Sequence, residues 1–154
     1  MVLGLNDALI ELTGALAGLT LAFNNTPLIA MTVLITGIAV ALSMSASEYL
    51  STKSEFGKTV KKPIKAAIYT GLTYFFTVIL LILPYLFLTN VYLCLGISLI
   101  SGIILILIFT YYTSVAQNFS FTRRFLEMAL ISLGIAVISF FVGYFVRILF
   151  NIEI

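Results

Sequence analysis

The chain has 154 residues, 62% hydrophobic and 9% charged, with a mean hydropathy of +1.20; soluble domains carry about a quarter charged residues, so an integral membrane protein is expected, with no separate soluble domain in these residues. Histidine is absent and the single cysteine, Cys94, lies in an apolar run, which excludes imidazole-dependent hydrolysis, His-ligated zinc and a disulfide within the chain. The net charge of +2 is small and locally placed, so nucleic acid is not an expected partner.

A membrane-spanning helix needs about 20 mainly apolar residues. The first such stretch covers about 5–23. No basic run precedes it, so it is expected to be retained as a span rather than removed as a signal peptide. Asn24-Asn25-Thr26-Pro27 reads as a tight turn, with Pro27 suited to the first turn of the next helix. The second span covers about 28–50 and runs on into a polar stretch, Ser51–Gly57, followed by Lys58, Lys61, Lys62 and Lys65. No charged residue then occurs before Arg123, an interval too long for one span and sufficient for two. A break around Thr89-Asn90 gives spans at about 66–88 and 92–115, with Pro84 expected to kink the third near its end. The fifth span is expected at about 125–150.

The chain thus reads as one all-α transmembrane domain of five helices lying in the lipid bilayer. Seven of the eight Lys and Arg residues fall in the loops after spans two and four. The positive-inside rule therefore predicts a cytoplasmic amino terminus, and Arg147 can snorkel from the end of span five. The sequons at Asn24 and Asn118 carry little weight. An odd number of spans with no internal duplication disfavours an inverted-repeat transporter within one chain.

Acidic residues concentrate in the first two spans. Asp7, Glu11, Gly14 and Gly18 lie within roughly 60° of one another on a helix of about 100° per residue. An ionised carboxylate in lipid costs roughly 2.5 kcal/mol or more, so these acids need partners. The ordinary alternative is a charged helix start, more natural for Asp7 than for Glu11 a turn deeper. Gly14-x3-Gly18 permits close helix approach, either within one subunit or at a contact between subunits that would carry the carboxylates with it. In span two, Gly37, Ala41, Met44, Glu48, Ser51 and Glu55 share a stripe, and Ser43-x3-Ser47 offers a second small-residue face. Met44 and Glu48 place a thioether one turn from a carboxylate, a donor mixture suited to first-row transition metals rather than Ca²⁺ or Mg²⁺. Against this, Met44 could be simple packing, and Glu48 and Glu55 could pair with nearby lysines. Spans three to five read as chemically quiet: Tyr111 and Tyr112 as interfacial aromatics, Glu127 as a partner of Arg123, and Cys94 as a small core residue.

Two segments carry a resemblance. GLNDALIELTGALAGLTLAF at Gly4–Phe23 and ALSMSASEYLSTKSE at Ala41–Glu55 resemble the first two spans of the vacuolar iron transporter family. Ser43, Met44, Glu48, Tyr49, Leu50, Lys53, Ser54 and Glu55 match the motif of its second helix, and KPIKAAIYTGLTYFF with ILPYLF is similar to its third. The resemblance implies a five-span homodimer with helix 1 at the interface, exporting Fe²⁺ and often Mn²⁺ from the cytoplasm in exchange for protons. The metal ion is then the substrate and no cofactor is implied. By motif position, Asp7 and Met44 would be pathway ligands, with Glu48 before Tyr49 and Glu55 at the closing acid. Glu11 is not general to the family, but the Asp7-Ala8 and Glu11-Leu12-Thr13-Gly14 form is similar to one prokaryotic branch, which implies a prokaryotic cytoplasmic membrane. Two features depart from the family. Only Phe56–Lys62 stands where better-known members carry a cytoplasmic metal-binding domain, and Thr36 and Gly37 stand where those members often have an acid. A non-transporting dimeric scaffold or sensor associated with metal storage is the alternative that the missing domain keeps open.

Overall fold

Five helices make up almost all of residues 2–54, 62–117 and 120–150, which the computed structural model describes. They are α1 (Val2–Ala22), α2 (Thr26–Ser54), α3 (Pro63–Phe87), α4 (Val91–Gln117) and α5 (Phe121–Leu149). Each is long and apolar enough to cross a membrane, and a helix satisfies its own backbone groups where no water can. The protein is an all-α, multi-pass integral membrane protein.

Asparagines punctuate the two short links. The Asn25 side chain accepts the Leu28 amide at 3.0 Å, and Asn90 accepts those of Tyr92 and Leu93 at 3.1 and 3.2 Å. Both occupy N-cap positions, where a side-chain oxygen satisfies amides that have no partner within the helix. At the basic end of the bundle the helices outrun the spans read from hydropathy. The second helix continues to Ser54, past the expected limit at Leu50, and the Ser54 hydroxyl donates to the Leu50 carbonyl at 2.9 Å. Pro63 opens α3, so Lys65 lies inside a helix, and Arg123 and Arg124 lie inside α5 instead of in the preceding loop. Hydropathy marks where the lipid ends; the helix continues until a capping residue or proline stops it.

Side-chain contacts fix the relative directions. Gly37 meets Val78, and Gly71 meets Ala41 and Ser45, so α2 and α3 run antiparallel. The Ser98 hydroxyl donates to the Leu81 carbonyl at 2.7 Å and the Cys94 thiol to the Pro84 carbonyl at 3.3 Å, which sets α4 antiparallel to α3. Gly14 faces Ile135 and Ser139, and Gly18 faces Ser139 and Gly143, so α1 and α5 run parallel. This alternation brings the start of α1, with Asp7, to the same end of the bundle as Lys53, Lys62, Lys65, Arg123 and Arg124.

The amino-terminal helix is the centre of the molecule. It touches all four others, and 56% of its apolar window is buried against 17% for α5. Ala8, Leu9, Leu12 and Leu16 enter a core completed by Val33 of α2, Val78, Leu81 and Tyr85 of α3, and Ile106 of α4. The glycine pair belongs to this interior. A methyl group on Gly14 would stand 2.9 Å from the Ile135 side chain, one on Gly18 2.9 Å from the Ser139 carbonyl, and one on Gly143 would overlap the Gly18 carbonyl. Gly14-x3-Gly18 therefore packs α1 on α5 inside one chain. Occupied in this way, the glycine pair gives no argument of its own for a contact between subunits at Asp7 and Glu11. A small-residue motif states how closely a helix can be approached, not by which neighbour.

Candidate metal pathway

Glu11 is the best defined of the candidate residues. Its Oε2 accepts a hydrogen bond of 2.8 Å from the Tyr74 hydroxyl. Tyr74 is fully buried in α3, while Glu11 and Asp7, a turn apart on α1, are both exposed on the protomer. A phenol anchored in the core and donating to a carboxylate fixes its position without neutralising its charge. The carboxylate keeps its capacity for a cation on the side facing away from the core.

Met44 is half-buried and packs against the hydrophobic core, and Glu48, one turn on, is also half-buried. Their depth follows from the contacts of α3. Tyr74 lies one turn from Val78, which meets Gly37, and within one turn of Gly71, which meets Ala41 and Ser45. The Glu11 carboxylate thus sits at the level of the α2 segment between Gly37 and Ser45, with Met44 at its basic end and Glu48 a turn beyond. Lys53 does not leave the helix surface: its Nζ lies 5.6 Å from the centroid of the Tyr49 ring, a cation–π contact. Glu55 lies outside the described residues. Among those described, no three of His, Cys, Asp and Glu come together as a closed cage.

The third and fifth helices are less quiet than their composition suggests. Tyr74 grips Glu11, the Tyr85 and Thr20 hydroxyls are 2.6 Å apart, and those of Ser132 and Thr13 are 2.9 Å apart. Tyr74 and Tyr85 reach α1 from α3 and Ser132 reaches it from α5. The signal for the tyrosines was present as spacing: Thr70, Tyr74, Thr77, Leu81 and Tyr85 recur at three- and four-residue intervals and are all buried. At the α5 start, Arg123, Arg124 and Glu127 line one cleft with Ser120, which brings Glu127 beside the arginine expected to pair with it.

Five long apolar helices packed around the first define a polytopic membrane protein. The model of the VIT family matches residues 1–57 and 55–144, and the chain belongs to that family. Its members are transporters and not enzymes, and the architecture accords with transport. No curated protein matches the chain.

Proposed function

We propose that the protein exports Fe²⁺, Mn²⁺ or both from the cytoplasm of a prokaryote, in exchange for protons, through a pathway at the interface of a homodimer. The observation that carries this reading is the carboxylate of Glu11, held by buried Tyr74 yet exposed on the flank of the central helix. Asp7 and Glu11 of α1 and Met44 and Glu48 of α2 are the proposed ligands, with Glu55, the closing acid of the second-helix motif, as a further one. Two exposed carboxylates per protomer are costly against lipid, and a second copy would both cover them and double the donor set. The Met44 thioether would favour first-row transition metals over Ca²⁺ and Mg²⁺. Because a carboxylate releases its proton to bind metal, each site can hold one or the other, which couples the two fluxes.

Family membership supports transport, and the positive charge gathered at the Asp7 end supports a cytoplasmic amino terminus. The two matched segments meet at residues 55–57, which supports a short form without an intervening cytoplasmic domain. The test is flux in proteoliposomes with Fe²⁺, Mn²⁺, Co²⁺ and Zn²⁺ while internal pH is followed. Asp7→Asn and Met44→Ala should each lower metal flux at least about tenfold, a loss of roughly 1.4 kcal/mol or more in the barrier. Wild-type rates in both variants would sink the pathway, and zero flux from a folded native dimer would favour the scaffold or sensor instead.

A further inference from the structure

Thr13 marks where α1 meets both α4 and α5. Its methyl group lies 3.2 Å from where a Cβ on Gly102 would stand, and its hydroxyl is 2.9 Å from that of Ser132. Asn6 is seven residues earlier, on the same helix face to within about 20°, and so looks into the same groove two turns closer to the basic end. Thr110 lies about two turns from Gly102 in that direction along α4, and Met128 about one turn from Ser132 along α5. These two meet, the Thr110 hydroxyl pointing to the Met128 sulfur at 4.0 Å. Ser114, one turn further along α4, is only 6% exposed.

Asn6 Oδ1 and Ser114 Oγ are buried with no hydrogen-bond partner among the described residues, and helix register places both along this groove. Thr110 offers its proton to a thioether, a weak acceptor, whereas nearby Thr113 reaches the Phe109 carbonyl at 3.0 Å. A buried polar atom left unmatched is costly, so two along one groove call for a ligand. The chemistry of the donors selects it. An amide oxygen, hydroxyls and a thioether carry no charge, so they cannot offset the dehydration of a divalent ion, and an amide oxygen repels an anion. Water matches both the unpaired acceptor and the hydroxyls, which can donate or accept.

We infer that the groove between α1, α4 and α5 is an internal water site, with water bound to Asn6 Oδ1 and the Ser114 hydroxyl beside Thr110 and Met128. It admits water from the basic end toward the Thr13–Ser132 pair. Asn6 lies about 140° round α1 from Glu11, so this water sits on a different side of the central helix from the metal carboxylates and does not depend on them.

Hydroxyl radicals produced by radiolysis of water oxidise methionine where water is adjacent, so Met128 is a built-in reporter. The full chain carrying Leu130→Met, in lipid nanodiscs, provides an internal comparison: Leu130 is 68% exposed on the outer face of α5 at nearly the depth of Met128. Met128, although half-buried, should be oxidised at least about fivefold faster than the sulfur introduced by Leu130→Met. Equal or faster oxidation of the introduced sulfur overturns the inference. Asn6→Leu combined with Ser114→Ala should slow Met128 oxidation by about threefold or more, and an unchanged rate in the folded double variant also overturns it. If that variant does not fold, the comparison within the Leu130→Met protein decides alone.

Discussion

At the scale of single residues, the hydrogen bond between Tyr74 and Glu11 joins the packed interior to the proposed pathway. Hydrogen bonds to charged groups contribute about 1.5–3 kcal/mol, so Tyr74→Phe should lower metal flux roughly tenfold while leaving the helix content unchanged. Glu11→Gln should do the same. If the phenol acts through that carboxylate, the double variant should be little worse than either single one in the same proteoliposome assay; additive losses would place Tyr74 in another role. Tyr74 was hard to read from sequence because tyrosines in membrane proteins cluster at the lipid surface, as Tyr111 and Tyr112 do here with more than half their area exposed. Asp7 and Met44 drew notice for the opposite reason, as an acid in an apolar helix and a thioether one turn from Glu48, and the flux assay decides whether they are ligands.

Between whole helices, the steric demands at the glycines differ in sign from one position to the next. Gly143→Ala should destabilise the bundle by about 1–3 kcal/mol, since its methyl overlaps the Gly18 carbonyl and backbone cannot step aside. Gly134→Ala, on the same α5 with nothing within 4 Å, should instead be neutral or stabilising by up to about 1 kcal/mol through helix propensity. Reversible unfolding in mixed micelles measures both, and equal effects would deny the close α1–α5 approach. The number and order of helices were legible because the lipid demands long apolar runs, and the breaks at Asn25 and Asn90 because their side chains cap. Partner choice was not. Every helix here is apolar around much of its circumference, so periodicity does not single out the side of α1 that receives α5.

For the whole molecule, orientation and assembly are the quantities to measure. Cys94 is fully buried, so the native chain provides an unlabelled background for cysteine mapping. In whole cells, a membrane-impermeant maleimide should label Thr89→Cys and leave Ser120→Cys untouched until the membrane is opened; the reverse pattern would invert the proposed direction of export. In detergent, the native protein is expected to have the mass of two chains plus bound lipid and detergent. Asp7→Asn should keep that mass while losing flux, which separates the role of the acid in conduction from any role in association.

The closeness of packing is uneven, and this has a mechanical consequence. The central helix is pressed on α5 with backbone nearly against backbone, and α2 is clasped to α3 just as extensively, while α1 and α2 touch far less. Two stiff pairs therefore share a softer seam, and that seam separates Glu11 from Met44. A carrier has to expose its ligands first to one side and then to the other, and packed pairs resist internal deformation. A tilt of one pair against the other would act across this looser seam, which the bond from Tyr74 to Glu11 spans. A cation drawing Glu11 toward Met44 would work directly on that bond, so the ion itself could supply the force that opens its own way through.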